Sequence, residues 1–212
     1  MAITDAFTGT NGTGIEAYSS NWAYMAGTGT NFQIQSNSLA MATVTLEGGA
    51  RRTETGFPND QYAQGVCAAE TNDEPFIGVS VRNQAAGSGD YYGFYARGDQ
   101  SQLFEYDGTT WSQEGSTGAG WNAGQVLRLE VSGTTLTPMV GGATQNPPGA
   151  QTDATYSSGA PGVCGFNDGS PGTQNRLDDF ECSDVAGGGG GNTVRFTTAL
   201  DGVSHGYGQR LH

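Results

Sequence analysis

Lysine is absent. The eight cationic side chains are all arginines, set against 21 carboxylates, for a formal net charge of −13 over 212 residues. Such a surface repels phosphate backbones, which excludes nucleic acid as a partner, and its ordinary consequence is a solvated acidic exterior. Histidine is nearly absent too: His205 and His212 are the only two, both close to the C-terminus. A Ser/His/Asp or Cys/His nucleophile system in the body of the chain therefore has no imidazole to serve as its base. No stretch approaches the ~20 consecutive apolar residues of a membrane helix, so no membrane partner is expected. The N-terminus carries no basic stretch followed by an apolar run, so no signal peptide is read and synthesis in the cytoplasm is the expectation. Cysteine is scarce and odd in number. Cys67, Cys164 and Cys182 sit in strand-like contexts ("QGVCAAE", "PGVCGF", "DFECSD"), which predicts buried free thiols, with a Cys164–Cys182 bridge as the alternative. No CxxC pair or histidine cluster marks a zinc site.

What the chain has in excess is glycine, 36 residues of the 212, more than twice the usual ~7 %. Outside one run they are scattered among aromatic and β-branched residues, the pattern of many tight turns. Apolar residues at helical spacing are missing, while alternation is everywhere. "NFQIQSN" sets Phe32 and Ile34 on one side, "ATVTLEG" sets Val44 and Leu46, and "FIGVSVRN" sets Ile77, Val79 and Val81 against Ser80 and Arg82. "QVLRLEVSGTTLTPMV" points Leu127, Leu129 and Val131 inward, turns at Ser132-Gly133 and resumes through Leu136. In "LFEYDGTTW" Asp107-Gly108 between aromatic arms is a hairpin signal. About a dozen strands in all, with turns between them and no internal repeat, predict an all-β sandwich or jelly roll.

The order of these fragments resembles the concanavalin A-like lectin/glucanase superfamily, and within it the laminin-G-like jelly rolls. The resemblance runs through "DAFTGTNG…NWAY", "NFQIQSNSLAMA", "FIGVSVRN", "YYGFYARG", "LFEYDGTTW", "GQVLRLEVSGTTLTPMVGG", "TDATYSSGAPGVCGF" and "NRLDDFECSDV". It implies a two-sheet antiparallel jelly-roll sandwich over residues 1–186, each sheet of about six strands and one face gently concave. Its first and last strands, "ITDAFT" and "LDDFECS", would pair. Hydrolases of the superfamily carry Glu-x-Asp-x-x-Glu; here Glu105 and Asp107 match, but Thr110 replaces the second glutamate and Asp107 falls in the turn. Retaining hydrolysis needs two carboxylates ~5–5.5 Å apart, so a non-enzymatic protein is expected. Laminin-G-like domains sometimes hold calcium, and the oxygen-rich loops "ETNDEP" (70–75) and "NDGSPGTQN" (167–175) are where one would sit; no other cofactor is implied.

Sugar binding is the chemistry that remains. It calls for flat aromatic faces and planar polar groups. "RNQAAGSGDYYGFYARG" supplies them: alternation sends Tyr92 and Phe94 to the core and turns Tyr91, Tyr95 and Arg97 outward, with Arg82 and Glu105 beside them. The competing reading is that outward tyrosines only stiffen a sheet. Beyond the domain, a glycine linker (187–191) leads into 192–212, too short to bury a core of its own. Val194, Phe196 and Leu200 lie there in "TVRFTTAL", a segment of strand propensity, and predict a flexible C-terminal docking arm that adds a strand to another subunit. Laminin-G-like jelly rolls recur in bacteriophage virions as head decoration, head-fibre or tail components. The resemblance thus implies a virion structural protein, an oligomer within an assembly, anchored to shell subunits and in contact with cell-surface glycans. The alternative is an extracellular carbohydrate-binding or glycan-processing protein.

Overall fold

The computed structural model describes residues 2–25, 31–42, 45–169 and 174–185, with the backbone alone for residues 45 and 46. These form seventeen strands and one four-residue helix. In chain order they are β1 (Ile3–Asp5), α1 (Ile15–Tyr18), β2 (Trp22–Tyr24), β3 (Phe32–Ile34), β4 (Leu39–Met41), β5 (Thr45–Arg52), β6 (Gln61–Ala69), β7 (Phe76–Asn83) and β8 (Asp90–Ala96). There follow β9 (Gln100–Asp107), β10 (Trp111–Gln113), β11 (Gly118–Ala119), β12 (Val126–Ser132), β13 (Thr135–Val140), β14 (Ala143–Thr144), β15 (Gln151–Thr152), β16 (Ala160–Asp168) and β17 (Arg176–Asp184). Among the described residues no helix is long and apolar enough to cross a membrane.

The strands make two antiparallel sheets. The first runs β14-β13-β12-β6-β17-β4-β3, with β1 beside β17 and β15 beside β13; the second runs β10-β9-β8-β7-β16-β5-β2, with β11 beside β9. As the sequence implied, the first strand pairs with the last, Ile3 opposite Cys182 and Asp5 opposite Phe180. The sheets hold nine and eight strands where about six were expected. The difference is made by edge strands of two or three residues, too short to carry a readable alternation.

The core lies between the sheets. Leu127, Leu129, Val131 and Leu136 from the first sheet meet Ile77, Val79, Val81, Tyr92 and Phe94 from the second, all fully buried. The β12–β13 hairpin turns where expected, with Gly133 at φ 56°. The Asp107-Gly108 turn also holds: Gly108 takes φ 81°, while Asp107 Oδ1 accepts from the Thr109 and Thr110 amides at 2.9 and 2.6 Å. Asp5 ties the N-terminal strand down by accepting from Trp22 Nε1 (2.8 Å) and Tyr18 Oη (2.7 Å), with Arg52 at 3.3 Å. The three cysteines are buried and free. Cys182 lies in the inter-sheet core and Cys164 in a second cluster on the far face of the second sheet, which overturns the bridge between them. The Val44 and Leu46 side chains, the linker 187–191 and the arm with Val194, Phe196 and Leu200 lie outside the described residues.

Arg82 departs from expectation. It does not project from the sheet but is buried at 2 % exposure, with φ 51°. β7 ends there, and the left-handed backbone turns the guanidinium back under three loops. It donates to Asn59 O (3.1 and 3.0 Å), Tyr156 O (2.8 Å) and Gly133 O (2.7 Å). Only the planar five-donor fork of arginine satisfies three carbonyls at once. Arg82→Ala is expected to cost about 3 kcal/mol, because it removes the buried cation whose several charged hydrogen bonds join three loops. Arg97→Ala, which breaks partly exposed pairs, should cost about 1 kcal/mol or less. Chemical denaturation of the two variants against the parent chain checks the ordering.

Candidate functional site

Antiparallel sheets usually turn one face to water. The second sheet here does not. Every residue of β7 is buried, as is every residue of β8 after Asp90. One set of alternate positions (Ile77, Val79 and Val81 of β7, Tyr92 and Phe94 of β8) fills the inter-sheet core, and the other builds a separate aromatic layer on the outside: Phe76, Tyr91, Tyr95 and Phe104 with Met25 and Cys164, flanked by half-buried Tyr106, Trp111 and Phe166. Glycines let the layer close directly on the sheet. A Cβ on Gly49 would stand 2.9 Å from Tyr91 Cε1, and one on Gly93 would penetrate the Phe104 ring, so these rings lie directly on backbone. Their centroids form a continuous path, Phe76–Tyr95 at 4.7 Å, Tyr95–Phe104 at 4.6 Å and Phe104–Trp111 at 5.8 Å.

Polar groups are set into this pavement. Tyr95 Oη lies 3.4 Å from Glu47 Oε1, while Glu47 Oε2 is shut from solvent with no hydrogen-bond partner. Arg97 stacks over Phe76 at 4.8 Å and donates to Glu74 Oε1 and Asp99 Oδ1, each at 2.8 Å. Glu74 Oε2 and Trp111 Nε1 are likewise buried and unpartnered. Burial pushes the Glu47 carboxyl from the usual 4.5 up to about 8, opposed by the Tyr95 hydrogen bond and helped by the Glu74 charge. Burial also raises Glu74, opposed by Arg97.

The five residues that the sequence nominated do not converge. Tyr91, Tyr95 and Arg97 face outward from the core as expected, but the tyrosines are 1 % and 3 % exposed: they are the floor of the layer, not projecting plates. Arg82 is the loop clamp described above. Glu105 sits opposite Tyr92 in register, and so on the inner side of β9, away from Tyr95. There it meets carboxylates that the sequence reading did not find. Oxygens of Glu105, Glu114 and Asp153 all lie within 4.8 Å of one another, and among the described residues these are the group able to hold a cation. Burial raises Glu105 and Glu114, with the Asp153 charge adding to both. Burial acts against Asp153 as well, but hydrogen bonds from Tyr92 and Thr155 hold it below the usual range. The two loops named for calcium are instead pinned together by Asn175, which accepts from the Thr71 amide (2.8 Å) and donates to Asp73 O (2.9 Å) and Pro75 O (2.7 Å); residues 170–173 lie outside the described residues.

No protein-family model matches the sequence, and no curated protein matches it. Solved structures do match. The exoplasmic/lumenal domain of VIP36 in its Ca2+/Man2-bound form superposes with a TM-score of 0.58 at 9 % identity, covering 87 % of this chain and 88 % of that one. The Emp46p carbohydrate recognition domain in metal-free form gives 0.53 at 9 % identity, over 78 % of this chain and 88 % of that one. Emp47p's carbohydrate recognition domain gives 0.51 at 10 %, over 78 % and 89 %. The chain has the concanavalin A-like jelly-roll fold. Within that jelly roll the sequence reading missed Phe76, Phe104, Trp111 and Glu47. For Phe104 and Trp111 part of the signal was there: the Asp107-Gly108 pair announces a hairpin between their strands, although the turn centres on Gly108-Thr109 and so puts Tyr106 opposite Trp111.

The Glu47 carboxyl carries a sign that can be tested. Its proton is held in the folded state and released near 4.5 in the unfolded chain, so the associated stability is complete at low pH and is lost as pH rises through about 8. The melting temperature should fall between about pH 5 and about pH 9, and Glu47→Gln should flatten that fall and melt higher than the parent at the alkaline end. An unchanged slope in the variant, followed by circular dichroism, would place the ionising group elsewhere.

Proposed function

We propose that the chain is a non-enzymatic carbohydrate-binding module whose ligand lies on the aromatic face of the second sheet. The observation that carries this is the pavement itself: a second apolar face on a sheet whose other face already supplies the core, studded with acceptors and a donor that the protein leaves unpaired. Pyranose rings present one apolar face and a rim of hydroxyls, which is the complement of such a surface. Each hydroxyl both donates and accepts, so carboxylate oxygens and an indole N–H are equally served. The fold it shares with the exoplasmic/lumenal domain of VIP36, a structure bound to Ca2+ and Man2, supports the same reading.

That support falls on the extracellular carbohydrate-binding alternative more than on a virion component. Anchoring in a bacteriophage particle through 192–212 rests on the sequence of those residues and would leave the same face to do the same work.

A glycan array followed by titration of the best ligand, read by tryptophan fluorescence, tests the proposal. Trp111 is half-buried at the open end of the ring path. Trp111→Ala is expected to weaken binding about tenfold or more, a loss of about 1.4 kcal/mol or more. Binding that is indifferent to Trp111 and to Phe104→Ala would move the ligand off this face, and silence across the array at millimolar protein would end the reading.

A further inference from the structure

The aromatic face already contains one cation site, occupied by the protein's own side chain. The Arg97 guanidinium lies over the Phe76 ring at 4.8 Å and is countered by Glu74 at 2.8 Å. A ring beneath and a carboxylate beside it is the arrangement that holds a cation away from water. One ring along the path a second carboxyl is set among the rings: Tyr95 lies 4.7 Å from Phe76 between centroids, and Glu47 accepts from its hydroxyl. Among the described residues no arginine forms an ion pair with Glu47, and its Oε2 has no partner of any kind. Glu74, one of whose oxygens is also unpartnered, adds its negative charge from the neighbouring loop.

We infer that this face selects sugars bearing a free amine, the ammonium group seated between Glu47 and Glu74 while the pyranose ring lies against the half-buried Trp111 and Tyr106. The inference rests on the carbohydrate-binding reading and narrows its ligand class. An ammonium brings three donors and a positive charge to Glu47 and the Glu74 charge that acts on it, letting Glu47 give up the proton it otherwise keeps, whereas a neutral hydroxyl brings a donor alone. A uronic or sialic acid would add a third negative charge, and Arg97, the cation at this end of the face, is already engaged by Glu74 and Asp99. Access takes only side-chain rotation, since Glu47, Glu74 and Trp111 are each partly exposed as residues although the atoms in question are turned inward.

The experiment is calorimetric titration of the full-length chain with four β-1,4-linked hexasaccharides of matched length: glucosamine, N-acetylglucosamine, glucose and mannuronate. It is run at about pH 6, below the ordinary range of an amine and where seating the ammonium must release the proton that Glu47 holds in the free protein, and at about 0.15 M salt to screen the general attraction between an acidic protein and a cationic sugar. The glucosamine oligomer is expected to bind at least about tenfold tighter than the glucose and N-acetylglucosamine oligomers, with the mannuronate oligomer showing no heat. Glu47→Gln, which keeps the shape and removes the charge, is expected to abolish the preference while binding of the neutral oligomers persists. Glu130→Gln on the first sheet, equal in charge change and remote from the face, is expected to leave the preference intact. Equal affinity for amine and neutral sugars in the parent chain would overturn the inference and leave the carbohydrate reading standing. So would a preference that Glu130→Gln lowers as much as Glu47→Gln does, since it would then belong to net charge. Absence of binding to all four would overturn the inference together with the reading beneath it.

Discussion

Rings packed directly on glycine are the constraint on which the outer half of this protein depends. Gly93 gives the Phe104 ring its place on the sheet, and Gly49 does the same for Tyr91. Gly78, between Tyr95 and Cys164 in register, has backbone so close on its outer side that no side chain fits there. With side chains at these positions the rings would stand on edge and the layer would break into separate aromatics. With glycine, Phe76, Tyr95, Phe104 and Trp111 become one surface. Glycine costs a strand conformational entropy and packing area. That cost falls in the centre of a sheet, where hydrogen bonds from both neighbours hold the backbone in place, and the burial of several rings offsets it.

The alternation that marks strands proved a sound guide to direction and a poor one to exposure. "YYGFYARG" correctly separates Tyr92 and Phe94 from Tyr91 and Tyr95, because the period of two is a property of the strand backbone alone. Whether an outward side chain meets water depends on its neighbours on other strands, here Met25, Phe76, Phe104 and Cys164, which are far apart in sequence. The same holds for charge. Glu105 looked isolated since no acid stands at the spacing of the hydrolase motif, yet the β9–β10 hairpin brings Glu114 to it and the segment after β15 brings Asp153. Arg82 was misread for another reason: a positive φ at a non-glycine residue has no signature in the alternation, and it turned the guanidinium away from the face to which β7 assigned it.

The absence of lysine gains a structural sense from where the arginines sit. Arg82 joins three loop carbonyls, Arg52 lies over the Trp22 ring at 4.7 Å while bridging Asp5 and Glu54, and Arg128 stacks on Tyr62 at 3.5 Å and pairs with Glu130. Each use needs a planar group that stacks and donates in several directions, which an ammonium cannot do. The cations are thus structural parts, and the carboxylates outnumber them. A net negative charge on such a chain is not only a solubility device; it leaves particular acids, Glu47 foremost, without a cation of their own.

That surplus is divided by the sheet. Phe104 and Tyr106 of β9 point to the aromatic face, and Glu105 between them points the other way, toward Tyr92, Glu114 and Asp153. A ligand stacked on Trp111 and Tyr106 would therefore have a layer of backbone between it and the Glu105 cluster. Glycoside hydrolysis requires two carboxylates on the same side as the sugar and free to move protons. Glu105 fails the first condition for any ligand of the aromatic face, and Glu74, on the right side, has one oxygen committed to Arg97. Of the acids next to the rings, Glu47 keeps its proton up to about pH 8 and Glu74 is tied to Arg97, an arrangement that suits the proposed binding role better than the two mobile protons of hydrolysis.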